Sequence, residues 1–252
     1  MSNNRRPVLL VTGGSRGIGA ATARLCAAAG YSVCVNYREA ADAARQVVGE
    51  IESAGGQGHA VRADVGVESE VERLFELCDE RLGPVTALVN NAGILEQQMR
   101  VDEMDADRLR RVFAVNVVGA FLCAREAVRR MSTRRGGSGG AIVNVSSAAS
   151  RLGSAGEYVD YASSKGALDT LTLGLSKEVA SEGIRVNAVR PGFIRTEIHA
   201  SGGEADRVER IAKSLPMQRG GEPDEVAQAI LWLLSDAASY VTGSFIDIAG
   251  GR

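Results

Sequence analysis

Short, mostly apolar runs alternate along this chain with longer stretches in which apolar residues recur every three or four positions. The runs at 8–12, 32–36, 59–62, 87–90, 141–146, 185–189 and 245–248 have the look of strands covered on both faces, the third being the least apolar. Helical spacing occupies 18–29, 40–54, 68–81, 106–131, 161–181 and 223–234. The last of these opens on Pro223 followed by Asp224 and Glu225, where a fixed φ and negative charge both favour a helix start. Strand-then-helix alternation from one end to the other predicts an α/β protein: a doubly wound (Rossmann) fold with about seven parallel strands flanked by helices on both faces.

A length of 252 residues suits one hydrophobic core, so one domain is expected over 1–252, with a flexible start at 1–7. The glycine-rich loop at 136–140 is too short and too embedded in the alternation to divide it. The less regular stretch at 194–217 follows Pro191-Gly192 and carries Gly202-Gly203. It is either a substrate lid or a surface excursion without function.

Charge narrows the classes of partner. The chain has 29 basic and 31 acidic side chains, a net charge of -2, which leaves no footprint for nucleic acid or an anionic membrane. The apolar stretch at 8–11 is too short for a signal-peptide core, and no run approaches the ~20 residues of a membrane span, so a cytoplasmic protein is expected. Cys26, Cys34, Cys78 and Cys123 are scattered without metal-ligand spacing and read as small buried hydrophobes; no metal is expected. His59 and His199 sit in no recognisable nucleophile or ligand motif, which disfavours a histidine-based mechanism.

The first strand runs into Thr12-Gly-Gly-Ser-Arg-Gly-Ile-Gly19, with the first helix immediately behind. Glycines at 13, 17 and 19 let backbone N–H groups approach a pyrophosphate closely, and the helix N-terminus adds its positive dipole end. A structural turn would also use glycine, but the position after the first strand of a βαβ unit favours a nucleotide site.

This TGxxxGxG spacing resembles the short-chain dehydrogenase/reductase family. Further motifs follow in the family's order: Asp64-Val65, Asn90-Asn-Ala-Gly93, Asn116, Ser146-Ser147, Tyr161-Ala-Ser-Ser-Lys165, and Pro191-Gly192 with Thr196. Together they span nearly the whole chain. The wording at 33–38 and 156–161 resembles members labelled glucose 1-dehydrogenase-like and 3-oxoacyl-carrier-protein reductase-like. The resemblance implies hydride transfer between a nicotinamide cofactor and a small alcohol or carbonyl substrate. It implies cofactor contacts from Gly13, Ser15, Arg16, Gly17, Ile18, Gly19, Asn36, Tyr37, Arg38, Asp64, Val65, Asn91, Ala92, Gly93, Tyr161, Lys165, Pro191, Gly192, Ile194 and Thr196. It also implies a homotetramer, built through the helices bearing Asn116 and Tyr161 and through the C-terminal segment.

Hydride transfer to a carbonyl leaves charge on oxygen, which needs a proton donor. Tyr161 is the expected acid/base. Its ordinary pKa of ~10 is too high for work near neutrality, and an ammonium ~4 Å away supplies the ~4 kcal/mol needed at an effective dielectric of ~20. Lys165, four residues on and on the same helical face, is expected to provide that charge. An ordinary i,i+4 pair is the alternative. The resemblance assigns the substrate-oxygen hydrogen bond to Ser147, with Ser146 competing, and to Asn116 a main-chain role in holding water near the lysine. Tyr158, Arg151, Leu152 and Glu157 are either pocket or solvent-facing loop residues.

At the end of the second strand Tyr37 stands where an NAD-selective site carries an acid, Arg38 follows, and Arg16 lies in the glycine turn. Two guanidiniums suit a 2′-phosphate, so NADP(H) is expected, with NAD(H) as a weaker alternative and Glu39 tempering the preference. A catalytically silent nucleotide sensor of the same fold is the rival function. It would have no need of Tyr161, Lys165 and Ser147 together.

Overall fold

A computed structural model describes residues 6–252. Of the flexible start expected at 1–7, residues 1–5 lie outside the described residues. Seven strands form one parallel sheet among the described residues: β1 (Val8–Val11), β2 (Ser32–Tyr37), β3 (Gln57–Arg62), β4 (Ala87–Asn90), β5 (Gly140–Val145), β6 (Ile184–Pro191) and β7 (Phe245–Ile248). Their spatial order is β3-β2-β1-β4-β5-β6-β7. The chain therefore leaves one half of the sheet after β3 and starts the other at β4, opening a crevice beyond the carboxyl ends of β1 and β4.

Alternation within each strand divides the core. Leu9, Val11, Val33 and Val35 face α1 (Gly17–Ala28), α2 (Ala41–Ser53) and α10 (Pro223–Leu234). Val8, Leu10 and Cys34 face the other way, toward α3 (Glu68–Leu82), α5 (Gly119–Met131) and the end of α7 (Val159–Val179). Both faces are thus covered, as near-continuous apolar strands require. All four cysteines are buried and unpaired, and burial pushes the thiols of Cys26 and Cys123 up to about 12.

One expected element is not continuous. The helix foreseen over 106–131 is α4 (Ala106–Phe113), a π turn at Ala114–Val118, and α5. Asn116, fully buried in that turn, has its amide in use: Nδ2 donates to the Ile94 carbonyl and to Ser164 Oγ, both at 3.0 Å, and Oδ1 accepts from Ile94 N at 2.8 Å. Gly119, just after it, packs so closely that a Cβ would lie 2.8 Å from the Val65 carbonyl oxygen. These tertiary contacts fall where the turn widens. Short helices at α6 (Ala149–Leu152), α8 (Ile198–Ser201) and α9 (Arg207–Ala212) also appear where sequence periodicity is too brief to register. Among the described residues, no helix is long and apolar enough to cross a membrane.

Candidate active site

At the carboxyl edge of the sheet lies a cavity of about 800 Å³, toward the upper end of the ~300–1,000 Å³ usual for small-ligand sites. It gathers Gly13, Ser15, Arg16, Gly17, Ile18, Asn36, Tyr37, Arg38, Asp64, Val65, Asn91, Ala92, Gly93, Ser147, Tyr161, Lys165, Pro191, Gly192, Ile194 and Thr196 in its wall. Gly19 and Asn116 do not line it. Gly19 packs behind the turn, where a Cβ would lie 2.4 Å from the Gly13 carbonyl oxygen; Asn116 holds the backbone at Ile94 from behind.

The glycine turn is held by side chains from neighbouring strands. Asn36 Oδ1 accepts from Gly13 N at 3.2 Å, while its Nδ2 donates to the Ala63 carbonyl at 3.0 Å. Asn91 Nδ2 donates to the carbonyls of Thr12 and Gly13 at 2.8 and 3.0 Å. The Thr12 hydroxyl accepts from the backbone N–H groups of Asn91 and Ala92 at 2.9 and 3.0 Å, a joint between β1 and β4 that sequence reasoning missed. Its one signal was a hydroxyl at the strand end directly before glycine.

Gly13 (φ +60°) and Gly17 (φ +52°) adopt a backbone that side chains disfavour, and a Cβ at Gly17 would meet Thr196 Cγ2 at 3.0 Å. Their bare backbone borders the cavity, with the N-terminus of α1 next to it. This cradle fits the pyrophosphate of a dinucleotide.

At the second strand end, Arg38 is half exposed, pairs with Glu39 at 2.6 Å and approaches Asp64 at 3.8 Å. Tyr37 and exposed Arg16 share that rim.

The other end of the cavity holds the proton-transfer candidates. Lys165 is buried, its Nζ donating to the Val145 carbonyl at 2.8 Å and lying 5.5 Å from the centre of the Tyr161 ring. Burial brings its pKa down to about 8 against the opposing charge of Asp169. Burial pushes Tyr161 up to about 12, with the nearby Ser147 hydroxyl working the other way. The expected lowering of Tyr161 by Lys165 is therefore not what dominates. Helical spacing conveys the ammonium's attraction but not desolvation, which penalises both charged forms in the same crowded site. Ser146, in contrast to Ser147, spends its hydroxyl on the Lys165 carbonyl at 3.2 Å.

Tyr158 and Leu152 line the cavity, whereas Arg151 pairs with Asp247 at 3.1 Å and Glu157 with Arg207 at 2.5 Å. The stretch at 194–217 closes one side through Ile198, His199, Ser201 and Arg207. Arg207 sits 5.0 and 5.5 Å from the Tyr158 and Phe193 ring centres, and Tyr158 Oη donates to the Gly202 carbonyl at 3.0 Å. His199 donates from Nε2 to the Ile194 carbonyl at 3.0 Å, while its Nδ1 is buried without a partner. Phe193, His199 and Arg207 had no signal in the sequence, because their place in the wall depends on how the segment folds back.

Residues 13–252 match a family model described as enoyl-(acyl carrier protein) reductase. The chain superimposes with a TM-score of 0.91 and 35% identity on a short-chain type dehydrogenase/reductase from Mycobacterium marinum, covering 98% of this chain and 95% of that one. The chain belongs to the short-chain dehydrogenase/reductase family. It is 62% identical over 245 residues to an uncharacterized oxidoreductase of Escherichia coli, with 97% of this chain and 99% of the relative covered. It is 38% identical to a 3-oxoacyl-[acyl-carrier-protein] reductase of Synechocystis, covering 97% and 96% respectively. Membership in the short-chain dehydrogenase/reductase family makes the protein an oxidoreductase and implies a nicotinamide cofactor and a small-molecule substrate.

Proposed function

We propose that this protein is an NADP(H)-preferring alcohol dehydrogenase or carbonyl reductase in which Tyr161 is the acid/base. The observation that carries the reading is one cavity whose wall gathers the glycine cradle together with Ser147, Tyr161 and Lys165, the lysine Nζ lying 5.5 Å from the centre of the Tyr161 ring. When bound, the nicotinamide cofactor supplies or accepts the hydride. The N–H groups of the 13–19 turn would hold its pyrophosphate, and Lys165 would hydrogen-bond its ribose. In the reducing direction Tyr161, protonated at neutral pH with its pKa near 12, donates its proton to the substrate oxygen. Ser147, whose hydroxyl oxygen accepts from Ala149 N at 3.1 Å while the hydroxyl of Ser146 donates to the Lys165 carbonyl, orients that oxygen. Asn116 stabilises the π turn and the backbone at Ile94 beside the site.

NADP(H) preference rests on the rim: Tyr37 brings no negative charge, and Arg38 and Arg16 are exposed enough to meet a 2′-phosphate. We take residues 6–252 as one cofactor-binding and catalytic domain, with 194–217 as its substrate lid. Exposed Val118, Phe121 and Leu173 on the π turn, α5 and α7, and Trp232 and Tyr240 toward the C-terminus, suit the interfaces of a homotetramer. Sedimentation at about four chain masses is expected, and a monomer would overturn that assembly. Four unpaired cysteines are in keeping with a reducing, cytoplasmic setting.

The test is turnover on a panel of carbonyls and alcohols with NADPH and NADH, in the parent and in Tyr161→Phe. Turnover is expected to fall at least ~10²-fold in the variant while cofactor affinity persists. Cofactor binding with no turnover across the panel would instead make the protein a nucleotide sensor, and near-parental turnover by Tyr161→Phe would overturn the role given to Tyr161.

A further inference from the structure

Arg108 lies in the first turn of α4 and Asp160 in the first turn of α7, immediately before Tyr161. Their side chains are only 5% and 1% exposed, and neither residue lines the cavity. Arg108 Nε donates to Asp160 Oδ2 at 2.8 Å and Nη2 donates to Oδ1 at 3.3 Å. The third nitrogen, Nη1, donates to the Gln97 carbonyl at 2.6 Å. Gln97 belongs to the connection between β4 and α4, whose Ile94, Leu95 and Glu96 form part of the cavity wall. That connection is tied a second time to the chain entering α7, where Met99 N donates to the Glu157 carbonyl at 3.0 Å.

One planar guanidinium therefore joins the 94–99 connection, whose residues 94–96 line the cavity, to the helical turn that presents Tyr161. Cohesion alone is a poor reason for such a pair. Taking two charges out of water is costly, and apolar side chains of similar size hold elements together as well or better. A carboxylate in the first turn of a helix is favoured by the helix dipole, but that benefit needs no buried arginine. What a guanidinium adds is direction, because its fork fixes the angle between every acceptor it engages.

We infer that Arg108 and Asp160 are positioning residues that set the separation and angle between Tyr161 and the cavity wall at 94–96. A substrate oxygen resting against that wall then arrives within hydrogen-bond reach of Tyr161. The inference rests on Tyr161 being the acid/base, and its test is arranged to separate the two.

The decisive variant is the double substitution Arg108→Met/Asp160→Leu, which removes both charges and leaves neither unpaired. It is expected to unfold near the parental midpoint and to bind the nicotinamide cofactor with parental affinity, since the glycine cradle is at the far end of the cavity. Its kcat should fall about 10–100-fold, the scale on which an ~1 Å misplacement acts, and its substrate KM should rise. Backbone amides at 94–99 should exchange faster with solvent.

Arg108→Lys, which retains a charge but not the fork, covers the case of a double variant that does not fold. It should lose turnover in the same sense at unchanged cofactor affinity. Parental kcat and exchange in the double variant, or parental kcat in Arg108→Lys if the double variant does not fold, overturns the positioning role. When Tyr161→Phe is inactive alongside, that result leaves the acid/base reading intact. Turnover surviving in Tyr161→Phe removes both.

Discussion

The Lys165 ammonium is hydrogen-bonded to the carbonyl of Val145, the last residue of β5, at 2.8 Å. A charge carried on α7 is thereby anchored to the sheet, directly beneath the point where Ser146 and Ser147 leave it. The anchor keeps the ammonium beside the Tyr161 ring, in surroundings that disfavour charge.

That burial gives a pH dependence whose sign can be worked out. Lys165 falls from an ordinary 10.5 to about 8, so between those values the unfolded chain holds a proton that the folded chain has released. The lysine's own contribution to stability should therefore rise with pH over that window, while below about 8 both states are charged and the burial cost is felt in full; the buried thiols of Cys26 and Cys123, raised from 9 to about 12, act in the opposite direction over the same window. Tyr161, raised from 10 to about 12, acts in the opposite direction above pH 10, where the folded chain keeps a proton the unfolded chain sheds. Between pH 8 and 9.5 the lysine contributes about 1–2 kcal/mol. Measured by urea unfolding at these two values, the change in stability should be more favourable in the parent than in Lys165→Met by that increment, since the thiols contribute equally to both proteins. An identical pH slope in both proteins would contradict it.

Glycine at 19 is required by packing rather than by contact with a ligand. A Cβ there would lie 2.4 Å from the Gly13 carbonyl oxygen and 2.5 Å from Asn91 Nδ2. Gly19→Ala should cost about 1–3 kcal/mol of stability, as overpacking does, and weaken dinucleotide binding by displacing the turn. Gly49 in α2 has nothing within 4 Å of a built Cβ, so Gly49→Ala should stabilise by about 0.5–1 kcal/mol. Calorimetry and cofactor titration of the two variants make the comparison, and equal effects would show that the close approach at Gly19 is relieved without cost.

At the rim, Arg38 is the group expected to separate the two cofactors. Losing one charge-assisted phosphate contact costs ~1.5–3 kcal/mol. Arg38→Ala should therefore reduce kcat/KM for NADPH about 10–100-fold and leave NADH nearly unchanged. Its pairing with Glu39 competes for the same guanidinium, so Glu39→Gln should shift the ratio further toward NADPH. A parent that prefers NADH, or a ratio that does not move in Arg38→Ala, would show that this strand end reads the ribose in another way.

What the amino-acid order determined by itself was whatever depends on near neighbours along the chain. Alternating strand and helix periods announced a parallel α/β sheet, and all seven expected strands appear with ends shifted by no more than two residues. Glycines 13, 17 and 19 marked the turn because a backbone that must bend sharply and pack closely admits little else. Tyr161 and Lys165, one helical turn apart, could be placed together for the same reason.

Tertiary structure alone decided matters that turn on groups distant in sequence or on density in three dimensions. The π turn at Asn116 goes with contacts to Ile94 and Ser164, which no local period encodes. The bond between Arg108 and Asp160 spans 52 positions and leaves each residue looking like an ordinary surface charge in the sequence. The balance at Tyr161 went against the sequence argument because attraction between two charges can be judged from helical spacing. The cost of taking those charges out of water depends on every atom the fold packs around them.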